Sequence, residues 1–196
     1  MQPANQPTLY ELLEGLPTGV TGEILNGQLH THPRPSGPHG RAANCLDRII
    51  GRYFDFGDGG PGGWWIFTEP EVHFLRDAEV TVPDLAGWRR ERMPIPPEDH
   101  RFEVVPDWVC EIFSPSTASR DREIKLPLYA HYGVPYAWLI DPVARTLEVY
   151  QLDAGAWLEI DRFAAADQVV APPFEAVSID LRGLWLPGRP RIVERR

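Results

Sequence analysis

Cysteine is nearly absent. Only Cys45 and Cys110 occur in 196 residues. One falls in a helical pattern and the other in an apolar strand pattern, which reads as two packed thiols and not a disulfide framework. Long hydrophobic runs are missing too, since nothing approaches the roughly 18 apolar residues of a membrane span. The opening MQPANQPTLYELLEG has neither the basic segment nor the apolar centre of a secretory leader, so the cytoplasm is the expected compartment. Positive charge is in deficit, with 19 Lys and Arg against 28 Asp and Glu, a net charge of −9. That argues against a surface that coats nucleic acid broadly, and leaves room for a local basic cleft or a metal-bridged contact. No internal repeat and no G-x-S-x-G nucleophile elbow is present. His30, His32 and His39 gather around a proline-rich loop without a second group at zinc spacing, so a zinc site is not expected. The glycine-rich FGDGGPGG precedes a strand pattern instead of opening a helix, the reverse of what a phosphate cradle requires.

What is there is ordinary for a globular protein: 43% hydrophobic and 24% charged residues, enough chain for one domain with a full core. Residues 1–7 and 188–196, the latter including all of the basic RPRIVERR, read as loose tails. Thr8-Leu9-Tyr10-Glu11 has the form of a capping box and predicts a short helix through Leu13. Asn26-Gly27 between two short apolar segments predicts a hairpin with a type I′ turn. Apolar positions Cys45, Leu46, Ile49, Ile50 and Tyr53 recur at helical spacing, predicting a helix from His39 or Gly40 to about Tyr53. Strands are predicted at 64–67, 71–75, 79–86 and 108–113, with 89–105 as a long polar connection. After Ser114-Pro115-Ser116-Thr117, read as turn and cap hydroxyls and not nucleophiles, a helix runs to Tyr132 and ends at Gly133. PYAWLID then forms a strand, followed by a hairpin from LEVYQL to WLEIDRF, and residues 177–181 add a short last strand. A strand–helix–strand crossover at 108–140 among many strands and few helices indicates an α/β or α+β domain around a mixed sheet.

Two strand patterns carry a carboxylate at a break: Asp84 in VTVPDLAGW and Glu111 in WVCEIF. Alternation puts each acid on the face opposite its neighbours, so adjacency of the two strands would bring both to one point at the sheet edge. Lys125 follows on the crossover helix. Two acids and a lysine have a joint use: the acids hold a hard divalent cation such as Mg²⁺, which activates water, and the ammonium orients that water or offsets developing charge. The plainer alternatives are solvated edge charges or a structural Lys125–Glu111 ion pair. Pro127, two residues past Lys125, predicts either a helix that starts late, near Arg122 or Glu123, or one that kinks there.

PDLAGW, together with EIFSPSTASRDREIKLPLYAHYGVPYAWLIDPVARTLEVYQL, resembles the Uma-type restriction-endonuclease family of the PD-(D/E)xK nuclease superfamily. The likeness spans roughly residues 21–181 and is dense from 107 to 151. It implies a restriction-endonuclease-like core over residues 1–196, with a central mixed sheet flanked by helices and the acids at its open end. It also implies metal-dependent hydrolysis of nucleic-acid phosphodiesters, most readily of DNA. By that likeness Asp84 and Glu111 are catalytic acids and ligands of Mg²⁺ or Mn²⁺, Glu23 is a third metal ligand, and His39 backs them. Where the superfamily has its lysine two residues after the second acid, this chain has Phe113, which moves the lysine role to Lys125. Arg89, Arg90, Arg120 and Arg122 are the expected nucleic-acid contacts, Trp88 a candidate for base stacking or a dimer contact, and a homodimer the expected assembly for two-strand cleavage. A non-catalytic binding module on the same fold and a small-phosphoester hydrolase are the rival readings.

Overall fold

The computed structural model describes residues 6–32, 34–114 and 117–187. Most of both expected tails, with Pro115 and Ser116 of the turn, lies outside the described residues.

Thr8 caps the first helix, α1 (Leu9–Glu14), through the reciprocal Thr8–Glu11 bonds that its sequence predicts. Strands β1 (Thr21–Leu25) and β2 (Gln28–His32) pair antiparallel around Asn26 at φ 51° and Gly27 at φ 71°, as a type I′ turn demands. Asn26→Ala is therefore expected to lower the unfolding free energy by about 1 kcal/mol, because alanine tolerates a left-handed backbone less well. A urea midpoint equal to that of the native protein would show that the turn does not depend on asparagine.

Helix α2 (Gly37–Ile50) begins earlier than its apolar spacing predicts, because Pro38 sits in the first turn, where its missing N–H costs nothing. Ala42, Leu46 and Ile50 form its buried stripe, and a wider π turn, Gly51–Asp55, carries it to Phe56. There follow β3 (Trp64–Thr68), β4 (Glu71–Leu75), β5 (Glu79–Thr81), β6 (Leu85–Arg89), β7 (Arg101–Phe102) and β8 (Trp108–Ile112). The crossover consists of α3 (Ala118–Arg120), a π turn (Asp121–Lys125) and α4 (Leu126–His131). The remaining strands are β9 (Tyr136–Asp141), β10 (Thr146–Asp153), β11 (Ala156–Ala164), β12 (Gln168–Val169) and β13 (Ile179–Asp180).

Two larger sheets result, in the orders β2-β1-β5-β4-β7 and β11-β10-β9-β8-β6-β3. The second is mixed: β8 and β9 run parallel across the helical crossover, and its other pairs are antiparallel. The expected single strand at 79–86 is in fact two strands in different sheets. The break falls at Val82-Pro83-Asp84, where proline has no N–H for a ladder, so Asp84 precedes β6 instead of ending a strand. The 89–105 connection also differs from expectation, since β7 within it pairs parallel with β4.

Alternation along β8 divides the core. Trp108, Cys110 and Ile112 pack with α2 and the chain's C-terminal segments, while Val109 and Phe113 pack with α4 on the other face. Glu111 shares that second face, so a carboxylate lies under the crossover helix. The helix reaches it with the π turn intact: Leu126 N–H bonds Asp121 C=O, five residues back, which makes room just where Pro127 would crowd a regular α-helix. The helix does not start late: helical backbone runs from Ala118, with the π turn standing just before Pro127. Cys45 and Cys110 are both free thiols.

Candidate active site

Strands β6 and β8 are neighbours, with Leu85 opposite Cys110, so Asp84 and Glu111 stand side by side at one sheet end. Ile112 N–H donates to Asp84 Oδ2 at 2.6 Å, tying the first acid to the second acid's strand. His39, in the first turn of α2, sits 3.0 Å from Asp84 Oδ1 through Nε2. Its Nδ1 is buried with no hydrogen-bond partner among the described residues. Burial works to lower the His39 pKa, but the bond to Asp84 and the charges of Asp84, Glu69 and Asp121 hold it above the usual imidazole range.

Lys125 enters from the crossover. Its ammonium lies 2.6 Å from Glu111 Oε1, 2.9 Å from Glu23 Oε1 and 3.2 Å from Val82 C=O. Glu23, on β1 in the other sheet, also accepts Val82 N–H at 2.9 Å. Tyr129, one further turn along the crossover, donates to Glu111 Oε1 at 2.5 Å. Glu23, Glu111, Asp121 and Lys125 are 1–4% exposed, so these are buried charges and not solvated edges. Burial pushes the Glu111 carboxyl well above the ordinary range; Lys125 opposes this, and Asp121, Asp84 and Glu23 reinforce it. Burial also pushes Asp121 up, to about 6. Burial alone would depress Lys125, but Glu111 and Glu23 raise it well above its usual value, so it stays charged.

These side chains line one cavity of about 180 Å³, shared with His32, Arg34, Glu69, Ser114 and Thr117. Its acids outnumber its cations and supply only oxygen donors, which suits a hard divalent ion. Among the described residues, however, no three His, Cys, Asp or Glu side chains stand ready-converged for a metal, because Lys125 fills the space between Glu23 and Glu111.

The structure brings together Asp84, Glu111, Lys125, Glu23 and His39. It does not bring the arginines with them. Arg89 and Arg90 stand at the opposite end of β6 from Asp84, Arg89 over the Trp64 ring and Arg90 bonded to Asp55. Arg122 is held by both oxygens of Glu148. Of these four only Arg120 points toward the acids, 3.9 Å from Glu23 Oε2, with Nη1 buried and lacking a hydrogen bond among the described residues. Trp88 cannot stack on a base: it is fully buried, bonded to Val104 C=O and stacked on Phe102.

Asp121 and Tyr129 escape a reading by acids at strand ends. Their signal is the spacing Asp121, Lys125, Tyr129, four residues apart and hence on one side of a helix. A second signal is starker: Lys125 is the only lysine in the chain, all 18 other basic side chains being arginine.

A mixed sheet whose parallel pair, β8 and β9, is joined by a helical crossover is in keeping with a restriction-endonuclease-like fold. The Uma2 family, described as "Putative restriction endonuclease", matches residues 7–182, and the chain belongs to that family. A crystal structure of "a putative nuclease belonging to DUF820" from Anabaena variabilis superposes with a TM-score of 0.71 at 26% identity, covering 91% of this chain and 97% of the other. No curated protein sequence matches significantly.

Proposed function

We propose that this protein is a divalent-metal-dependent nuclease that hydrolyses nucleic-acid phosphodiester bonds, with DNA as the expected substrate. The observation that carries the reading is the meeting of Asp84, Glu111 and Lys125 in a single cavity from three separate segments. Asp84 and Glu111 would hold Mg²⁺ or Mn²⁺, Glu111 through Oε2, since Oε1 is already taken by Lys125 and Tyr129. When bound, such an ion lowers the pKa of water and offsets charge on phosphate oxygen. The protein's own part is to aim the carboxylates: Ile112 N–H and His39 fix Asp84, and Tyr129 fixes Glu111. Lys125 adds a charge next to the reacting phosphate, and Arg120 is the expected backbone contact. The cavity is smaller than the roughly 300 Å³ at which sites for whole small ligands begin. That size fits one phosphate of a longer chain. Cleavage of both strands of a duplex would favour a symmetric dimer.

One observation favours a binding-only member of the fold: the ammonium's hydrogens already have acceptors within the protein. Incubation with plasmid and with single-stranded DNA and RNA, with Mg²⁺ or with chelator, separates the two. Metal-dependent cleavage that falls at least about 10³-fold in Asp84→Asn is expected, the order of effect of losing the metal's electrostatic help. Binding of nucleic acid without cleavage under any of these conditions would transfer the protein to the binding-only class.

A further inference from the structure

Glu23 faces the acids, yet its oxygens are engaged by the protein itself. Oε1 accepts from Val82 N–H and from Lys125 Nζ, and Oε2 faces Arg120. The Val82 peptide closes the ring, its N–H bonded to Glu23 and its C=O to Lys125. That peptide lies two residues before Asp84, in the break where the chain passes from one sheet to the other. One carboxylate from β1 thus holds both the ammonium and the backbone leading to the first acid.

We propose that Glu23 is a positioning residue and not a metal ligand: it clamps Lys125 beside Glu111 and fixes the Val82-Pro83-Asp84 segment. The ammonium needs such a clamp. A lysine side chain has several rotatable bonds, and Glu111 with the neutral Val82 C=O would hold it by one charged contact only. The π turn puts Lys125 within reach of both acids, and Glu23, arriving from the opposite sheet, gives the ammonium a second charged anchor. The clamp stands on geometry alone; its use in turnover rests on the nuclease reading above.

The single lysine makes the test direct. Protein labelled with ¹⁵N-lysine has one Nζ resonance, and a buried ammonium with three acceptors exchanges its hydrogens slowly enough to be seen. In metal-free Glu23→Gln that exchange is expected to quicken about tenfold, because one charged acceptor has become neutral. Mn²⁺ affinity by calorimetry should stay within about tenfold of the native value while turnover falls about 10- to 100-fold, the pattern for a residue one layer behind the ligands. An unchanged Nζ signal in Glu23→Gln overturns the clamp. Loss of Mn²⁺ binding as complete as in Asp84→Asn makes Glu23 a ligand and also overturns it. Should Glu23→Gln not fold, the native protein decides: a slow-exchanging Nζ signal that survives Mg²⁺ saturation supports the clamp, and one that vanishes shows the ion taking Glu23 from the lysine. If native protein binds no metal, the nuclease reading fails, while the exchange measurement still tests Glu23.

Discussion

Lys125→Met should destabilise the protein by about 3–5 kcal/mol at neutral pH, the usual result of removing one partner from a buried ion pair. Methionine keeps the length of the stem and its packing, so the loss isolates the charge. Glu23 and Glu111, 1% and 2% exposed, would face each other with no cation between them. At that burial they regain little hydration, and burial with the Glu23 charge beside it already pushes the Glu111 carboxyl up. For a chain of this length that amounts to a fall of about 10 °C in melting temperature. The deficit should shrink as pH drops, since the orphaned Glu111 carboxyl, already pushed up by burial, then takes up a proton. Urea unfolding at pH 7.5 and pH 5 measures both effects. A midpoint at pH 7.5 matching the native protein would mean that the ammonium is not the countercharge the geometry describes.

Asp121→Asn should do the opposite and stabilise the protein above pH 7 by about 3 kcal/mol. Burial pushes the Asp121 carboxyl from 3.8 up to about 6. The folded state therefore holds this proton more tightly than the unfolded chain does. The stability it contributes is fully present below about pH 3.8 and is lost as pH rises through about 6. Asparagine resembles the protonated acid, so the variant should match the native protein near pH 4 and exceed it at pH 7.5. Equal melting temperatures at pH 7.5 would mean that Asp121 ionises without cost. A stabilising loss of an acid in a cavity is what a site arranged for function, and not for stability, produces.

Much of this was legible in the sequence, for identifiable reasons. Asn26-Gly27 and the Thr8–Glu11 box are local chemistry, and local chemistry survives folding unchanged. The meeting of Asp84 and Glu111 is half legible: alternation places Glu111 within β8, while Asp84, one residue before β6, reaches it through the pairing of β6 with β8. Residues 79–86 look like one strand because hydrophobicity continues through Val80, Val82 and Leu85 while the sheet changes at Pro83. Arg89 and Arg90 were misplaced for a related reason. A cluster of like charges shows in the sequence, but which end of β6 it occupies depends on strand direction relative to Asp84. Arg122 looked available because Glu148, its partner, is 26 residues away. Glu23's bonds to Val82 and Lys125 cross between segments far apart in the chain, and no spacing rule reaches them.

The π turn at Asp121–Lys125 has a consequence for how this segment tolerates change. Each residue of an α-helix advances about 100° around the axis. Deleting one residue from the turn would scarcely shorten the crossover, yet it would rotate everything before it by about that angle relative to α4. Asp121 would then leave the cavity while Lys125 and Tyr129, which follow the deletion, kept their places. Here a single-residue gap acts as a change of phase, and substitutions at these positions are far safer than insertions or deletions.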